Sequence, residues 1–439
     1  MVQFGSSAPF AEPLWYSRDS SPYYTSSHRK LRQAVRSYVD AEILPNCHDW
    51  ENQGQVPPQV LKRHAELGYQ AAAVYPMMKG HLSGVNLPGG VSCKEWDAFH
   101  DLIVIDEIAR CGYLGVIWAL TCGNSIGCPP VANFGSEEQK KRYLPDVYAG
   151  RKRFCLAITE PDVLTMHTAK AGSDVAGLTT TAERRGDKYI VNGAKKWITN
   201  GYFADYATAA VRTGGEGKNG ISALVIPLNL KGVTCKKIHN SGVNASGSTY
   251  IEFDDVEVPV SNLIGKENEG FKIIMSNFNH ERLWLACTSL RMARVCVEDS
   301  YNHACSRETF GKPLIANQTI RSKFAGFGQR IEPAHSYMEA LVSLVCMAKS
   351  QDEQTQLYLG GQLANLKVTA GQTLEWVNRE AQQIFGGLGF ARSGQGQRVE
   401  QISRDLRVMV VGGGSEEILK DLVVNQEQLA MQKLKESKL

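Results

Sequence analysis

The order in which hydrophobic periodicity changes along the chain constrains the fold most strongly. Apolar residues recur at helical spacing before Arg151, follow strand-like patterns through the next hundred residues, and return to helical spacing from Gly270. A strand cannot place apolar residues with a period of 3.6 on one face, because its side chains alternate with a period of two. The 439 residues are enough for two or three structural units. We therefore predict an α+β protein with a helical segment on each side of a β segment.

The first helical segment spans residues 28–152 and shows both stripes and start signals. Its signals are the stripe Leu31, Val35 and Val39, a helix from Pro57-Pro58 to Leu67, a helix from Trp96 to Ala109, and Ser136 as an N-cap. From Gly270 the helical period returns. One apolar face there comprises Ala334, Tyr337, Met338, Leu341, Leu344 and Val345, and another comprises Leu363, Leu366, Leu374 and Val377. Long helices with short breaks predict a four-helix bundle over residues 265–432.

The β segment is predicted to span residues 153–264. Ile221 to Ile226 and Tyr250 to Val258 indicate strands. Asn192-Gly193 lies between the apolar runs Lys188–Val191 and Lys195–Thr199, and this dipeptide tolerates the positive φ of a type I′ turn. We therefore expect a hairpin that reverses at Asn192-Gly193.

Composition excludes two classes of function. The 48 basic and 45 acidic residues leave a net charge of +3, and no basic stripe or arm suggests a nucleic-acid partner. The longest apolar runs, such as Leu341 to Met347, are too short to span a bilayer. The eleven cysteines are scattered without metal-ligand spacing, so we expect buried thiols in a reducing compartment and no metal site.

The two ends of the sequence are expected to lie outside the folded domains. Residues 1–27 lack a secretory apolar core and make a poor transit peptide, so we expect a flexible extension there. Residues 433–439 form a tail that ends in Ser437-Lys438-Leu439, the tripeptide that a peroxisomal import receptor reads at a free C-terminus. The sequence therefore predicts a peroxisomal protein that binds this receptor.

Several separated motifs occur in a fixed order. They are Ile158-Thr159-Glu160-Pro161, Ala171-Gly172-Ser173-Asp174, Trp197-Ile198-Thr199-Asn200, Arg307-Glu308-Thr309-Phe310-Gly311-Lys312, Gln383-Ile384-Phe385-Gly386-Gly387, and Arg404-Asp405 followed by Gly413-Gly414-Ser415-Glu416-Glu417-Ile418. Together they resemble the acyl-CoA dehydrogenase family over roughly residues 28–432. The run Gly386 to Gly389 alone is similar to a dinucleotide-binding fingerprint, but it follows a helical segment rather than a strand.

The resemblance implies a fold, a cofactor and a reaction. It implies an N-terminal helical domain, a middle β domain and a C-terminal four-helix bundle, in a homo-oligomer that is usually a tetramer. It also implies FAD as the cofactor and an acyl-CoA thioester as the substrate. A carboxylate would take the α proton while the β hydrogen leaves as hydride to flavin N5, which gives a 2-enoyl thioester.

The same resemblance implies which residues contact FAD. Thr159 and Thr199 match hydroxyl and main-chain contacts to the isoalloxazine, and Trp197 matches an aromatic side chain packed against it. Arg307 and Phe310 resemble contacts from a neighbouring subunit, where a guanidinium can donate in pairs to a pyrophosphate. The full implied set is Leu156, Ala157, Ile158, Thr159, Gly172, Ser173, Trp197, Ile198, Thr199, Arg307, Phe310, Gln318, Gln383, Ile384, Phe385, Gly386, Gly387, Ser415 and Glu417.

Two positions considered together predict the catalytic base. Most members of the family carry a glutamate just before the Gly-Thr/Ser of the last motif, where this chain has Gly413. A minority class places the base on the first helix of the C-terminal domain, and Glu281 matches that position. The alternative is a helix glutamate paired with a nearby cation, but the glycine at 413 favours Glu281 as the base. The substrate contacts implied by the resemblance are Ser173, Asn279, Arg282 and Gly414.

Eight additional residues, Val163–Lys170, separate the first two motifs. One interpretation is a loop that extends outward with both motifs intact, because surface insertions are tolerated. The other is a disturbed flavin site that weakens cofactor binding, or a misassigned splice. Three functions are therefore weighed: an FAD-dependent acyl-CoA dehydrogenase in fatty-acid or fungal toxin-like secondary metabolism, an oxidase that reduces oxygen, and a catalytically silent homologue.

Overall fold

The computed structural model describes residues 4–18, 20–74, 84–161, 174–347 and 353–436. The insertion Val163–Lys170, the predicted contacts Gly172 and Ser173, and the C-terminal Ser437-Lys438-Leu439 lie outside the described residues. Within them, helices precede Arg151, strands follow it, and helices return at Gly270. The predicted α+β class is confirmed.

The first helical segment contains short helices, several of which begin where the sequence predicts. They are α1 (Ser26–Tyr38), α2 (Cys47–Gln53), α3 (Pro58–Glu66), α4 (Tyr69–Ala73), α5 (Ala98–Ala109), α6 (Leu114–Gly127), α7 (Pro129–Phe134) and α8 (Glu137–Tyr148). The predicted stripe Leu31, Val35 and Val39 is fully buried. Ser136 caps α8, because its hydroxyl accepts from the Gln139 backbone N–H while the Gln139 side chain accepts from the Ser136 backbone.

A mixed sheet follows. Its strands are β1 (Phe154–Ala157), β2 (Thr181–Arg185), β3 (Lys188–Ile198), β4 (Tyr206–Arg212), β5 (Ile221–Pro227), β6 (Val233–Lys237), β7 (Thr249–Pro259) and β8 (Leu263–Ile264). The order is β6-β7-β3-β2-β4-β5-β8, and β1 pairs with β4 in parallel. Inward-facing side chains such as Tyr189, Val191, Ile226 and Ile251 form its core. The strands predicted near residues 221 and 250 are confirmed as β5 and β7.

Long helices complete the chain. They are α9 (Gly270–Ser306), then a small hairpin of β9 (Glu308–Thr309) and β10 (Lys312–Pro313), then α10 (Gln318–Met347), α11 (Glu353–Phe385), α12 (Gln397–Val411) and α13 (Glu416–Glu436). Helix α11 packs against α10, α12 and α13, and its predicted apolar face Leu363, Leu366, Leu374 and Val377 is buried. Of the helices within the described ranges, none has the length and apolar character needed to cross a bilayer.

The chain forms two compact units that do not follow sequence order. The sheet unit comprises Cys47–Lys94 and Gly115–Glu281, and the bundle unit comprises Met1–Asn46, Glu95–Leu114 and Arg282–Leu439. The division falls within helix α9, because Glu281 belongs to the sheet unit and Arg282 to the bundle unit. The boundaries predicted from the sequence at residues 152, 264 and 432 stay predictions.

The hairpin predicted at Asn192-Gly193 is wrong. Strand β3 runs without reversal through this dipeptide, and the turn that joins β2 to β3 lies at Gly186-Asp187, where Arg185 pairs with Lys188. Between Val191 and Gly193 two steps along β3 match three steps along β7, from Val256 to Phe253, so the bulged residue belongs to β7 and lies opposite Asn192. Asn-Gly tolerates a turn and also the positive φ that Gly193 has in this continuous strand, so sequence alone did not distinguish the two.

The described part of the N-terminal segment is folded, which differs from the flexible extension expected for residues 1–27. Trp15 stacks on Tyr24 with ring centroids 3.9 Å apart. The Glu12 carboxylate accepts from Arg291 at 2.7 Å and from Arg36 at 2.9 Å. Burial alone would raise the pKa of Glu12, but the two guanidinium groups outweigh it and lower this pKa to about 2. The segment is thus held by buried aromatic and ionic contacts within the bundle unit, which its polar composition did not reveal.

The bulge makes a testable demand on residue 193. Gly193 has φ +139°, and a Cβ there would lie 2.8 Å from the Thr180 backbone. We predict that Gly193→Ala lowers the free energy of unfolding by about 1–3 kcal/mol, because the added methyl group meets strained backbone and a close neighbour. Urea unfolding measures this change. Gly215→Ala is the control, since a Cβ at Gly215 meets nothing within 4 Å; equal effects of both substitutions would contradict the strain expected at residue 193.

Candidate functional site

A buried ion pair lies at the centre of the predicted flavin motifs in the sheet unit. Lys195 on β3 is fully buried, and its Nζ donates to Glu160 Oε1 at 2.8 Å and to the Ile158 carbonyl at 3.0 Å. Glu160 is itself only 4% exposed. Burial alone would raise the pKa of Glu160, but the Lys195 charge and the hydrogen bonds to the carboxylate lower this pKa to about 2. The Glu160 carboxylate is therefore ionised at neutral pH, whereas burial lowers the pKa of Lys195 and the Glu160 charge opposes this effect.

Glu160 also ties together the chain on both sides of the 162–173 interval. Its Oε2 accepts from the backbone N–H of Thr179 at 2.6 Å and from the Thr179 hydroxyl at 2.7 Å, and Oε1 accepts from the Thr180 N–H at 2.9 Å. One carboxylate thus joins a residue before the 162–173 interval to two residues after it. Both interpretations of the insertion stay predictions, because Gly172 and Ser173 lie outside the described residues.

The same strand fixes the segment that carries Thr159. The Thr159 carbonyl accepts from the Lys196 backbone N–H at 2.8 Å, next to the Lys195 contact with Ile158. Leu156, Ala157 and Ile158 are buried, whereas Thr159 is half-buried. The motifs that begin at Ile158 and at Trp197 are therefore held side by side, as the resemblance requires.

Trp197 has an unusual backbone and an exposed ring. Its φ is +64°, which is rare for a bulky residue, and its side chain is 53% exposed. It lies where the β3–β7 register shifts between Lys195 and Ile198, so the irregular backbone turns the indole out of the sheet. Strain of this kind persists where neighbouring structure imposes it, and such positions cluster at functional sites.

Asn200 anchors the end of this motif. Its φ is +60°, a conformation that asparagine adopts more readily than most residues. Its side-chain Nδ2 donates to the Ser246 carbonyl at 2.7 Å, and its Oδ1 accepts from the Gly123 N–H on α6 at 2.8 Å. The motif is thereby joined to α6 and to the chain before β7, with Ile198 buried and Thr199 half-buried between its anchors.

Glu281 is half-buried on α9, and its Oε2 atom is buried. Cys122 on α6 lies close enough that, after burial itself, the Glu281 charge raises the pKa of this thiol above its ordinary range. Phe278, one helical turn before Glu281, packs against an apolar cluster that includes Leu156 and Ile158. A carboxylate in these surroundings can take a proton from a carbon acid with little competition from water.

In the bundle unit, the last motif is positioned by two cations. Arg282, which is 5% exposed, donates from Nε to the Gly413 carbonyl at 3.3 Å. Lys367 on α11 donates to the carbonyls of Val410 and Gly414. Gly413 and Gly414 have φ of +67° and +114°, and a residue with a side chain would be strained at these values. The residue beside the predicted base thus contacts the glycine that replaces the usual glutamate.

The remaining predicted site residues, most of them in the bundle unit, range from exposed to buried. Phe310 forms the tip of the β9–β10 hairpin with φ +53°, and its side chain is fully exposed. Gly386 and Gly387 are open, since nothing lies within 4 Å of a Cβ at either position. Arg307, Gln318, Gln383 and Glu417 are exposed, Ser415 and Asn279 are half-buried, and Ile384 and Phe385 are buried.

The predicted site residues thus occur in both units and stay predictions, while Gly172 and Ser173 lie outside the described residues. Sequence reasoning missed Lys195, Lys367 and Cys122 as neighbours of the site. A lysine in a strand usually faces water, so nothing in the local pattern indicates that Lys195 is buried. The alternation of side chains along β3 predicts this inward position only when the irregularities in its pairing are already known.

Comparison with known proteins gives a consistent result over the whole chain. Family models for the N-terminal, middle and C-terminal domains of acyl-CoA dehydrogenase match residues 25–151, 155–256 and 268–427. The acyl-CoA dehydrogenase AFT10-1 of Alternaria alternata is 53% identical over 98% of both chains. The acyl-CoA dehydrogenase apdG of Emericella nidulans is 42% identical over 96% of this chain and 95% of that relative. The crystal structure of a probable acyl-CoA dehydrogenase from Mycobacterium abscessus superposes with a TM-score of 0.80 and 34% identity, covering 92% of this chain and 99% of that one.

We predict that Lys195→Met lowers the free energy of unfolding by about 3–5 kcal/mol, because it leaves the Glu160 carboxylate buried without its cation. Urea unfolding at neutral pH measures the loss. Arg185→Met is the control, since Arg185 pairs with Glu183 on the protein surface and surface pairs contribute little. A similar small change for both variants would show that the buried pair does not stabilise the fold.

The pair also predicts the acid limb of stability. The pKa of Glu160 is about 2 in the folded protein and 4.5 ordinarily, so its contribution is complete above pH 4.5 and is lost as the pH falls toward 2. In Lys195→Met the lowering charge is absent, so the pKa of Glu160 in the folded protein rises and the stability lost below pH 4.5 should be smaller than in the wild type. Unfolding free energies measured between pH 7 and pH 3 test this; parallel pH curves for the two proteins would contradict it.

Proposed function

The chain belongs to the acyl-CoA dehydrogenase family and is an oxidoreductase, and from this premise we propose that it oxidises an acyl-CoA thioester to the 2-enoyl-CoA with FAD as cofactor and Glu281 as base. The observation that carries the proposal is the half-buried Glu281, one helical turn after Phe278, which packs against the apolar cluster of the sheet unit. The 413 position, where most of the family has its glutamate, carries no carboxylate here.

Glu281 removes the α proton of the bound thioester. Its Oε2 is buried, and Phe278 and Ile158 contribute to an apolar region that excludes water from such a reaction. The adjacent Arg282 is held by its hydrogen bond to the Gly413 carbonyl, which restrains this turn of α9. We propose that Asn279, Arg282 and Gly414 contact the coenzyme A portion.

The residues present fit FAD. In the sheet unit an exposed indole at Trp197 and the half-buried Thr159 and Thr199 offer a flat apolar face with polar neighbours, as an isoalloxazine requires. In the bundle unit the open backbone at Gly386 and Gly387 can approach a phosphate closely, and the exposed Arg307 can donate to it. When bound, FAD supplies the acceptor for the β hydride.

We further propose a homotetramer. Phe310 is fully exposed at the tip of a two-residue turn with positive φ at Phe310 and Gly311. An aromatic side chain held in a strained turn and left in water gains no stability from the monomer, which favours a partner subunit that covers it. Light scattering of the purified protein tests the assembly, and a monomeric mass would contradict it.

A peroxisomal location is also proposed, from the terminal Ser437-Lys438-Leu439. It motivates the second candidate function, an oxidase that passes electrons to oxygen, and a role in fatty-acid or secondary-metabolite metabolism. A fluorescent protein fused to the N-terminus should reach peroxisomes, and removal of the tripeptide should leave it in the cytosol.

Anaerobic addition of acyl-CoA thioesters of different chain length and branching tests the proposed reaction. Bleaching of the flavin band by one class supports acyl-CoA oxidation and identifies the preferred acyl group. Stoichiometric hydrogen peroxide on admission of air would favour the oxidase over the dehydrogenase. A flavin that no acyl-CoA bleaches would support the catalytically silent homologue instead.

We predict that Glu281→Gln lowers the rate of flavin bleaching at least about 100-fold, because a neutral amide cannot accept the α proton. The flavin content of the purified protein should be unchanged, which separates a lost base from a lost cofactor. Glu269→Gln, an exposed position just before α9, serves as the control. Wild-type bleaching by Glu281→Gln would remove Glu281 from this role.

A further inference from the structure

Two histidines and an aspartate meet in the bundle unit, in a region that the proposed reaction does not use. His28 Nε2 lies 3.0 Å from Asp97 Oδ1, and His100 Nδ1 lies 2.9 Å from the same oxygen. The rings of His28 and His100 are 3.9 Å apart between centroids. One ligand atom from each residue lies within 4.8 Å of the other two, which is a spacing that a single metal ion can bridge.

The N-termini of α1 and α5 bring these side chains together. His28 occupies the third position of α1 and accepts from the backbone N–H of the N-cap residue Thr25. Asp97 is the N-cap of α5, and His100 occupies the third position of that helix. Each histidine is therefore held by a capping box of its own helix. The Asp97 carboxylate caps α5 and also contacts His28 of α1.

Both imidazoles have a hydroxyl group behind them. The far nitrogen of His28, Nδ1, lies 2.9 Å from Thr25 Oγ1, and the far nitrogen of His100, Nε2, lies 2.9 Å from Ser27 Oγ. Histidines that bind metals in proteins commonly donate their second N–H to an oxygen, which fixes the ring and its tautomer. Ser27 is placed to accept this bond from His100, whereas the Thr25 hydroxyl accepts it from His28 only when Nδ1 carries the proton and gives up its hydrogen bond from the Thr25 backbone N–H.

The contact between His100 and Asp97 is difficult to satisfy with protons alone. His100 Nδ1 faces the Asp97 Oδ1 acceptor at 2.9 Å and the Asp97 backbone N–H donor at 3.2 Å. If the neutral ring carries its proton on Nε2, the Nδ1 lone pair faces the Asp97 carboxylate, so two acceptors oppose each other. If the proton is on Nδ1, this N–H faces the Asp97 backbone N–H, so two donors oppose each other. A cation between Nδ1 and Oδ1 removes the repulsion between the two acceptors.

Burial and access suit a small ion. His28 and His100 are 2% and 0% exposed, so the imidazoles are fixed, whereas the Asp97 side chain is 38% exposed and faces solvent. Bonds of about 2.0–2.2 Å to a tetrahedral zinc ion imply ligand separations of roughly 3.3 Å. The observed separations of 2.9 and 3.0 Å need to open only slightly.

We propose that His28, Asp97 and His100 form a binding site for a divalent transition-metal ion of the zinc type. The donor set of two imidazoles and one carboxylate matches the preference of Zn²⁺, and a water molecule can complete the coordination. The ion joins the N-termini of α1 and α5, which are separated by 69 positions between His28 and Asp97. That separation is why no metal-ligand spacing was recognised in the sequence.

The test uses full-length protein without a histidine tag, stripped of metal and titrated with Zn²⁺ by calorimetry. We expect one equivalent to bind and the thermal midpoint to rise with the Zn²⁺ concentration, since the ion binds only the folded protein. Co²⁺ in place of Zn²⁺ should give visible absorption bands typical of four-coordinate sites. Because neither readout involves flavin or acyl-CoA, failure of the proposed reaction would leave this test unaffected.

Asp97→Asn and His100→Gln are the diagnostic variants. Asparagine keeps the N-cap of α5 and removes the charged ligand, so Asp97→Asn should remain folded while binding Zn²⁺ at least about 100-fold more weakly. His239→Gln, at an exposed position in the sheet unit, is the control and should bind as the wild type does. Absence of a wild-type equivalent, or equal affinity in wild type and Asp97→Asn, would refute the site.

Discussion

The ion pair between Glu160 and Lys195 is the interaction on which the arrangement of the candidate site depends. One buried carboxylate accepts from Lys195, Thr179 and Thr180, and so joins β3 to both described ends of the segment that carries the insertion. A buried ion pair adds little net stability when it is compared with apolar packing, because both charges lose water. Its effect here is geometric: the partners can satisfy one another in only one arrangement of the two motifs.

Unfavourable backbone conformations recur in the same motifs. Trp197, Asn200 and Phe310 have positive φ, and so do Gly413 and Gly414. At the glycines the conformation costs little, whereas at Trp197 and Phe310 it must be imposed by neighbouring structure. In both aromatic cases the result is a large apolar side chain directed into solvent. Two of the residues that the family resemblance assigns to FAD, Trp197 and Phe310, are therefore among the residues with unusual backbone geometry in the described part of the chain.

Helix α9 connects the two units at the predicted base. Glu281 belongs to the sheet unit and its neighbour Arg282 to the bundle unit, so the boundary between the units falls directly after the predicted base. On the bundle side, Arg282 contacts the Gly413 carbonyl, and Lys367 holds Gly414. Within the bundle unit, Gly413 is thus held by the residue that follows Glu281 in the sequence.

Sequence alone determined the fold class, the strands near 221 and 250, the helix starts at Pro58 and Ser136, and the family. These follow from local period, capping chemistry and motif order, all of which act over a few residues. Only the tertiary structure decided that β3 continues through Asn192-Gly193 opposite a bulge in β7, that the N-terminal segment is packed through Glu12, and that Lys195 is buried. It also brought His28 to Asp97 and His100. Each of these depends on a partner distant in the chain, and the burial of a polar residue is set by that partner rather than by its neighbours in sequence.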